Sequence, residues 1–106
     1  MRDFAEEFAK TVAADRRLSI LRMLADPQVG GELGESSIEK GLAMWGFRAK
    51  LSRELIQDDL LHLQNVQCVR TDVGPKGYMI AQVTPVGRRV AQGLTEVEGV
   101  STPRGL

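Results

Sequence analysis

The apolar pattern of this chain changes its period near residue 65, and this change limits the fold more than any other feature. Up to Leu63, apolar side chains recur every three or four residues, as on the buried face of an amphipathic helix. Beyond it, two β-rich runs, 66–71 and 78–84, flank a loop at 73–77 that contains two glycines and a proline. Two such runs around a Gly/Pro loop are typical of a β-hairpin. The sequence therefore predicts a helical part followed by a hairpin.

Two helical segments open the chain. The first covers about 3–26 and is either one bent helix or two helices joined near Ala14. A glycine-rich loop follows it. The second helix fits a capping box, with Ser36 as the N-cap and Glu39 three residues later. Gly46 is placed to end this helix in the left-handed conformation.

The third helix begins after its predicted N-cap, Ser52, and extends to about residue 65. A last helical stripe follows Pro85, after the hairpin. Two short helices joined by a tight turn and followed by a hairpin have the layout of a winged helix-turn-helix. The predicted fold class is therefore mainly α with a β-hairpin wing, in the α+β class. A generic small α+β domain is the alternative.

The length of the chain, 106 residues, suits one domain around one core. We expect an N-terminal helix at 1–14 as a candidate dimerisation arm and a winged-helix domain at 15–100. The last residues, 101–106, are expected to form a flexible tail.

Positive and negative charges balance, with 14 Lys and Arg residues against 14 Asp and Glu residues. This balance excludes a protein that binds nucleic acid through bulk positive charge, but not one with a basic face. No apolar run approaches the roughly 18 residues of a membrane span, and the charged N-terminus is unlike a signal peptide. The single cysteine, Cys68, cannot form an internal disulfide. We therefore expect a cytoplasmic protein without a membrane partner.

Three segments resemble winged-helix regulators of the ArsR and MarR type. Residues 15–24, DRRLSILRML, resemble their opening helix, and residues 52–69 resemble their recognition helix and its run into the wing. The segment VTPVGR at 83–88 is similar to the L-T-x-x-G-R turn that leaves the wing. The resemblance covers about 15–103.

The C-terminal segments VAQG and VEGV, at 90–93 and 97–100, look closer to a group of short winged-helix proteins from Mu-like prophages. This resemblance implies a phage-type transcriptional regulator. The chain departs from the family before the first wing strand, where Gln67-Cys68-Val69 replaces the usual Gly-Leu-Val. The paired cysteines of metal-sensing relatives are also absent. Because one cysteine and one histidine cannot supply a soft-metal site, we expect no metal and no cofactor.

An enzymatic function is not expected from the titratable residues. His62 has Asp58 four residues earlier on the same predicted helix, so a hydrogen-bonded pair is one interpretation. A boundary histidine packed against the wing is the other. No neighbour would lower the pKa of Cys68 enough to make it a nucleophile. The glycines at 30–34 lack the preceding strand of a dinucleotide-binding loop.

Basic residues cluster at the start of the presumed recognition helix, which is the end that enters the major groove in helix-turn-helix proteins. Those in the preceding turn suit phosphates, whereas the Arg53 guanidinium suits guanine and the Gln57 amide suits adenine. A solvated polar face is the alternative, because acidic residues lie on the same helix. On the hairpin, basic residues suit the DNA backbone or the minor groove. The predicted DNA-binding residues are Arg48, Lys50, Ser52, Arg53, Gln57, Arg70 and Lys76.

The apolar side chains of the first helix exceed what a small three-helix core needs. The resemblance implies pairing through the first and last helices, and a two-fold dimer would present two recognition helices about 34 Å apart. A first helix that folds back on its own domain is the alternative. The predicted dimerisation residues are Phe4, Phe8, Val12, Val90 and Leu94.

The expected function is a homodimeric regulator that binds double-stranded DNA and acts by occupying an operator. The alternative is a winged-helix module for protein–protein contact in phage assembly or regulation, without DNA binding. The neutral charge favours this alternative, as does the acidic stretch 27–47, which carries three glutamates and one lysine. A small enzyme subunit or adaptor is a third, weaker interpretation.

Overall fold

The computed structural model describes residues 3–48 and 51–103 of the chain. They form a small α+β protein with four α-helices and one three-stranded antiparallel sheet. The elements in chain order are α1 (Phe4–Ala25), β1 (Glu32–Gly34), α2 (Glu35–Met44), α3 (Arg53–Asn65), β2 (Val69–Val73), β3 (Met79–Val83) and α4 (Pro85–Ala91). A single 3₁₀ turn, Pro75–Gly77, joins β2 to β3. This order is compatible with a winged-helix fold.

Helix α1 is one uninterrupted helix of 22 residues, without a break at Ala14. Asp3 caps it, because its carboxylate accepts the Ala5 N–H at 3.2 Å. The C-terminal half of α1 is buried in the core, whereas no described residue before Arg16 is buried. The first half of the helix therefore contributes no buried residue to the core.

Helix α2 begins at Glu35, after an N-cap at Gly34 that makes no side-chain hydrogen bond. The predicted capping box of Ser36 and Glu39 is therefore wrong. The physical reason is that β1 leads directly into the helix, so the backbone turns at Gly34. The predicted end of α2 is confirmed, because Gly46 has a φ of 100° and Phe47 N–H donates to Leu42 O at 2.9 Å.

The sheet has the order β1-β3-β2, with both pairs antiparallel. The predicted hairpin is confirmed and extends from the Val69–Val83 pair at its base to the Val73–Met79 pair near its tip. Strand β1 was not expected, since 30–34 were predicted to be a loop. A strand of three residues leaves little pattern in the sequence, and β1 is defined by its pairing with β3.

The core lies between the helices and the inner face of the sheet. It contains side chains from all four helices and from β2 and β3, including Leu21, Leu42, Leu60, Ala81 and Val90. Cys68 is fully buried there. Among the described helices, none has an apolar stretch that could cross a membrane.

The VTPVGR segment turns the chain from β3 into α4. Thr84 caps α4, since its Oγ1 accepts the Gly87 N–H at 3.0 Å, and Oγ1 also donates to Gln67 O at 2.6 Å. A Cβ on Gly87 would lie 2.1 Å from Cys68 O, so only glycine allows this approach. The threonine and the glycine of this motif therefore attach α4 to the start of the hairpin.

The chain after α4 returns across α1 and α3. Arg17 Nη1 donates to Gly99 O at 3.1 Å, and Val100 is buried. Ser101 N–H donates to Ala14 O at 3.1 Å, and its hydroxyl donates to Asp15 at 2.5 Å. Ser101 thus belongs to the folded domain, in contrast to the flexible tail expected at 101–106. Residues 104–106 lie outside the described residues.

Candidate functional site

The start of α3 carries three of the residues that the sequence predicted to contact DNA. Ser52 is the N-cap as predicted, because its Oγ accepts the Leu55 N–H at 3.1 Å. This cap fixes the first turn of α3 and places Arg53 and Gln57 one turn apart on the same side of the helix. Lys50, which was predicted to contact phosphate, lies outside the described residues.

A buried carboxylate holds both of these side chains. Glu35 is only 3% exposed, at the start of α2. Its Oε1 accepts from Arg53 Nε at 2.7 Å, and its Oε2 accepts from Gln57 Nε2 at 2.9 Å. Oε2 also accepts the backbone N–H of Met79 at 2.8 Å. One carboxylate therefore joins α2, α3 and the hairpin, and we call Glu35, Arg53, Gln57 and Met79 the Glu35 cluster.

The Glu35 carboxyl is ionised in this cluster. Burial raises its pKa, because a charge in a dry environment is costly. The hydrogen bonds from Gln57, from the Met79 N–H and from Arg53, together with the positive charge of Arg53, outweigh burial and lower the pKa below its ordinary value of 4.5. Glu35 was not predicted as a site residue, since its partners are distant in the chain.

The Arg53 side chain also reaches the tip of the hairpin. Its Nη2 donates to Gly77 O at 2.9 Å, and its guanidinium lies 4.4 Å from the centre of the Tyr78 ring. Lys76 precedes Gly77 at the exposed tip, with a φ of 63°. The structure thus brings Arg53 next to the hairpin tip that carries Lys76, while DNA binding by these two residues stays a prediction.

Two adjoining grooves extend this surface along α2. One groove of about 230 Å³ is lined by Arg53 and Tyr78, and another of about 400 Å³ is lined by Lys40 and Arg48. Ser36 and Glu39 line both grooves, which makes the surface continuous. We call Lys40, Arg48, Arg53 and Lys76 the basic rim. Lys40 was not predicted, because it lies in the stretch that is acidic in sequence.

Arg70 does not belong to the basic rim. It is paired with Gln82 near the base of the hairpin, three residues before Val73 at the tip end. At roughly 3.3 Å per residue, this places Arg70 about 10 Å from the tip end of the strand. It instead lines a cleft with Arg88 of α4. The predicted DNA-binding set is therefore divided between the two ends of the hairpin.

The exposed face of α3 is acidic. Glu54, Asp58, Leu61 and Asn65 recur at helical spacing and are all exposed. We call these four residues the acidic stripe. Leu61 keeps 46% of its surface exposed. The stripe, and not a row of basic side chains, faces solvent along the middle of α3.

The remaining titratable candidates serve the fold. His62 Nε2 lies 2.8 Å from Glu98 O, and the pair with Asp58 is not formed. Burial raises the pKa of the Cys68 thiol, which keeps it protonated and unreactive. No three His, Cys, Asp or Glu side chains within 3–48 and 51–103 are grouped so that they could hold a metal ion.

A second buried carboxylate, which was also not predicted from the sequence, joins α3 to α1. Asp59 is fully buried and forms ion pairs with Arg16 and Arg17. Arg16 Nη2 lies 3.0 Å from Asp59 Oδ1, and Arg17 Nε lies at the same distance from that oxygen. Arg16 is itself 7% exposed, so these charges are structural and are not free for a ligand.

The predicted dimerisation residues differ in exposure. Phe4 and Phe8 are 79% and 58% exposed and stack on each other, with ring centres 5.9 Å apart. Leu94 is 69% exposed, whereas Val12 is half-buried. Val90 is 2% exposed within the core, so its assignment to a subunit contact is wrong. The apolar side chains of α4 pack against the core of their own domain.

Comparison with known proteins gives one relative in a phage. The uncharacterized protein gp26 of Escherichia phage Mu is 33% identical over 90 residues, which cover 85% of this chain and 88% of the phage protein. No family model matches the chain, and no solved structure matches it significantly. The similarity agrees with the predicted relationship to Mu-like prophage proteins, while the resemblance to ArsR and MarR regulators stays a prediction. By this identity and coverage, the chain belongs to the family of the uncharacterized protein gp26 of phage Mu.

Proposed function

We propose that this protein is a phage-type winged-helix regulator that binds double-stranded DNA as a homodimer and acts by occupying an operator. Helices α2 and α3 form the helix-turn-helix, and β2 and β3 form the wing. The element order and the β1-β3-β2 sheet support this assignment, since the hairpin follows α3 directly and returns beside β1.

The observation that carries the proposal is the bond from Arg53 Nη2 to Gly77 O. It holds the N-terminus of α3 against the hairpin tip, so that a recognition helix and a wing would approach DNA together. The continuous surface that carries Lys40, Arg48 and Arg53 would then lie along the same duplex, on the side where α2 is. These cations supply contacts to phosphates, which position a protein without reading sequence.

The Glu35 cluster changes the roles of the two predicted base readers. Arg53 donates hydrogen bonds to other groups of the protein through Nε and Nη2, and Gln57 does so through Nε2. Among the described residues, Arg53 Nη1 and Gln57 Oε1 have no partner. Each side chain therefore presents one free polar group in a fixed orientation. Such preorganisation reduces the entropy lost when a side chain binds a base edge.

The homodimer is proposed from the N-terminal half of α1. From Asp3 to Thr11 no residue is buried, although a helical segment of this length is marginal in water without packing. The exposed and stacked rings of Phe4 and Phe8 offer the packing surface. A second copy whose arm lies against this surface would bury these rings and would place two α3 helices on one face of a duplex.

Fluorescence anisotropy with a labelled random duplex of about 20 base pairs tests DNA binding, at about 50 mM and about 200 mM salt. We expect the affinity to fall steeply with salt. Lys76→Ala and Lys40→Ala should each lower the salt slope by about 1, as the loss of one phosphate contact does. Arg89→Ala, on the exposed face of α4, is the matched control and should leave the slope unchanged. No binding at about 50 mM salt would refute the proposal.

The acidic stripe favours a second candidate, a protein-interaction module without DNA binding. Glu54 and Asp58 would repel phosphates, and the exposed Leu61 suits a protein partner with a basic and apolar surface. The double variant Glu54→Gln, Asp58→Asn separates the two candidates. If α3 faces DNA, removal of the two negative charges raises the duplex affinity. No duplex binding by the wild type or by the double variant supports the protein-interaction module.

A further inference from the structure

A cleft of about 290 Å³ at the base of the hairpin is not used by the proposed function. It is lined by the loop before β1, by the outer face of the sheet and by the first turn of α4. Its charged side chains are Glu32, Arg70 and Arg88. The cleft lies at the opposite end of the hairpin from Lys76, since Arg70 is paired at the base of the ladder.

The two arginines are free to bind a ligand. Both are exposed, and within the described part of the chain neither forms an ion pair or a side-chain hydrogen bond. This distinguishes them from Arg16, Arg17 and Arg53, which are paired with buried carboxylates. A free guanidinium keeps all five of its N–H donors for a ligand.

The Arg88 side chain lies against the loop before β1. Gly31 is buried, and a Cβ at this position would lie 2.9 Å from Arg88 Nη2. Glycine therefore lets the guanidinium lie directly on the loop before β1. The Gly31 carbonyl accepts the Val83 N–H at 2.9 Å, which attaches the same loop to the central strand. The Arg88 guanidinium therefore lies next to the loop before β1, where it lines the cleft.

The negative charge of the cleft belongs to Glu32, whose carboxylate already accepts one hydrogen bond. Gln82 lies between Glu32 and Arg70 on neighbouring strands, and its Nε2 donates to Glu32 Oε1 at 2.8 Å. The cleft therefore contains two unpaired positive charges and one negative charge that already accepts a hydrogen bond. An anion with several acceptor oxygens suits this arrangement, because each guanidinium donates two parallel hydrogen bonds to such a group.

We propose that this cleft is an anion site that binds a phosphate group between Arg70 and Arg88. The inference is independent of DNA binding by the basic rim. A phosphate group reaches such a cleft on a small molecule or as part of a nucleic-acid backbone, and both sources present the same oxygens. The distance of the cleft from the hairpin tip favours a small phosphorylated molecule.

Titration of the ¹⁵N-labelled full chain with inorganic phosphate, at constant ionic strength, tests the site through the Gly30 and Gly31 amide signals. We expect saturable shifts in the wild-type protein. Arg88→Ala and Arg70→Ala should weaken phosphate binding about tenfold each, as the loss of a charge-assisted pair does. Arg89→Ala is the matched control, because Arg89 is also exposed on α4 but does not line the cleft. It should change the affinity less than twofold.

Two further variants test how the charges of the cleft affect phosphate binding. Glu32→Gln keeps the oxygen that accepts from Gln82 and removes the negative charge, so it should strengthen phosphate binding by about two- to fivefold. Arg88→Lys should give a loss between those of the wild type and Arg88→Ala. Shifts that are absent up to about 50 mM phosphate, or equal in Arg88→Ala and Arg89→Ala, would overturn the proposal.

A second titration distinguishes the two sources of the phosphate group. A duplex is added to the phosphate-saturated protein. If the duplex displaces phosphate at Gly30 and Gly31, the natural ligand is a backbone phosphodiester. If the shifts of the cleft persist while other signals respond to the duplex, the ligand is a small molecule. Both results keep the anion site, and only the first one connects it to DNA.

Discussion

The guanidinium of Arg53, at the start of α3, lies 2.7 Å from the buried carboxylate of Glu35, at the start of α2. The carboxylate also accepts from the hairpin at Met79, so one ionised group connects the two helices and the hairpin. Its position in the first turn of α2 places a negative charge at the positive end of the helix dipole. The surface proposed to bind DNA therefore depends on a charge inside the protein.

The first prediction concerns pH. Because the pKa of Glu35 in the folded protein is lowered below 4.5, its carboxylate binds fewer protons in the folded state than in the unfolded state. Its contribution to stability is present above pH 4.5 and is lost as the pH falls through the folded pKa. Urea unfolding from pH 7 to about pH 3 should therefore show a decrease in stability at the acid end. Glu35→Gln should reduce this decrease, and an unchanged acid dependence in that variant would contradict the prediction.

The second prediction is the cost of Glu35→Gln at neutral pH. An amide keeps one acceptor oxygen but turns an NH₂ group toward the donors of Arg53, Gln57 and Met79. Since a buried donor would lose its partner, we expect a loss of about 1.5–3 kcal/mol in the free energy of unfolding. Glu39→Gln, half-buried on the same helix, is the control and should change stability by less than about 0.5 kcal/mol. Similar losses in the two variants would argue against the Glu35 cluster.

The third prediction compares two neighbouring aspartates on α3. Asp59→Asn leaves Arg16 buried without its charge partner, and breaking such a pair typically costs about 3–5 kcal/mol. Asp58→Asn changes an exposed side chain of the acidic stripe and should alter stability by less than about 0.5 kcal/mol. Chemical denaturation of both variants measures the difference. If both lose the same stability, the ion pairs between α1 and α3 do not stabilise the fold.

The fourth prediction is a stabilising substitution at the end of α3. Cys68 N–H donates to Leu63 O at 2.8 Å and Gln67 N–H donates to Gln64 O at 2.9 Å, which is the Schellman pattern. Gln67 has a φ of 67°, a conformation that favours glycine. The family resemblance places a glycine at this position. Gln67→Gly should therefore raise the free energy of unfolding by about 0.5–1 kcal/mol.

Gly46 provides the matched control for this substitution, because it ends α2 in the same pattern with a φ of 100°. Apart from the two neighbours of Gly46 in the chain, no atom of the described residues lies within 4 Å of a Cβ built on it, so Gly46→Ala tests conformation without steric overlap. We expect it to destabilise the protein by about 1 kcal/mol. If Gln67→Gly were destabilising, contacts of the Gln67 side chain would outweigh the backbone preference.

The fifth prediction tests the proposed dimer. The double variant Phe4→Ser, Phe8→Ser should shift the protein from dimer to monomer in sedimentation equilibrium, because it removes the exposed apolar surface of the arm. Both rings contribute little to the monomer, so the helical content of the core should be retained. Leu61→Ser, an exposed apolar residue on α3, is the control and should leave the mass unchanged. A wild-type protein that sediments as a monomer would exclude this dimer.

Local sequence patterns were sufficient for most elements of the fold. The end of α2 at Gly46, the N-cap of α3 at Ser52 and the hairpin around 73–77 all depend on neighbouring residues, and the structure has them where they were predicted. The start of α2 was misplaced and β1 was missed. Both depend on the pairing of β1 with β3, which joins residues about fifty positions apart, and no local pattern encodes such a partner.

In the candidate site, too, some features follow from the local sequence and others from contacts between distant residues. Sequence determined which residues are basic and placed Arg53 at a helix start. Only the tertiary structure decided that Glu35 would hold Arg53 and Gln57, that Asp59 would be buried between two arginines, and that Arg70 and Arg88 would line one cleft. The physical reason is that helix caps and turns are set by bonds within a few residues. Whether a charge is free or paired depends instead on which groups the completed fold brings to hydrogen-bond distance.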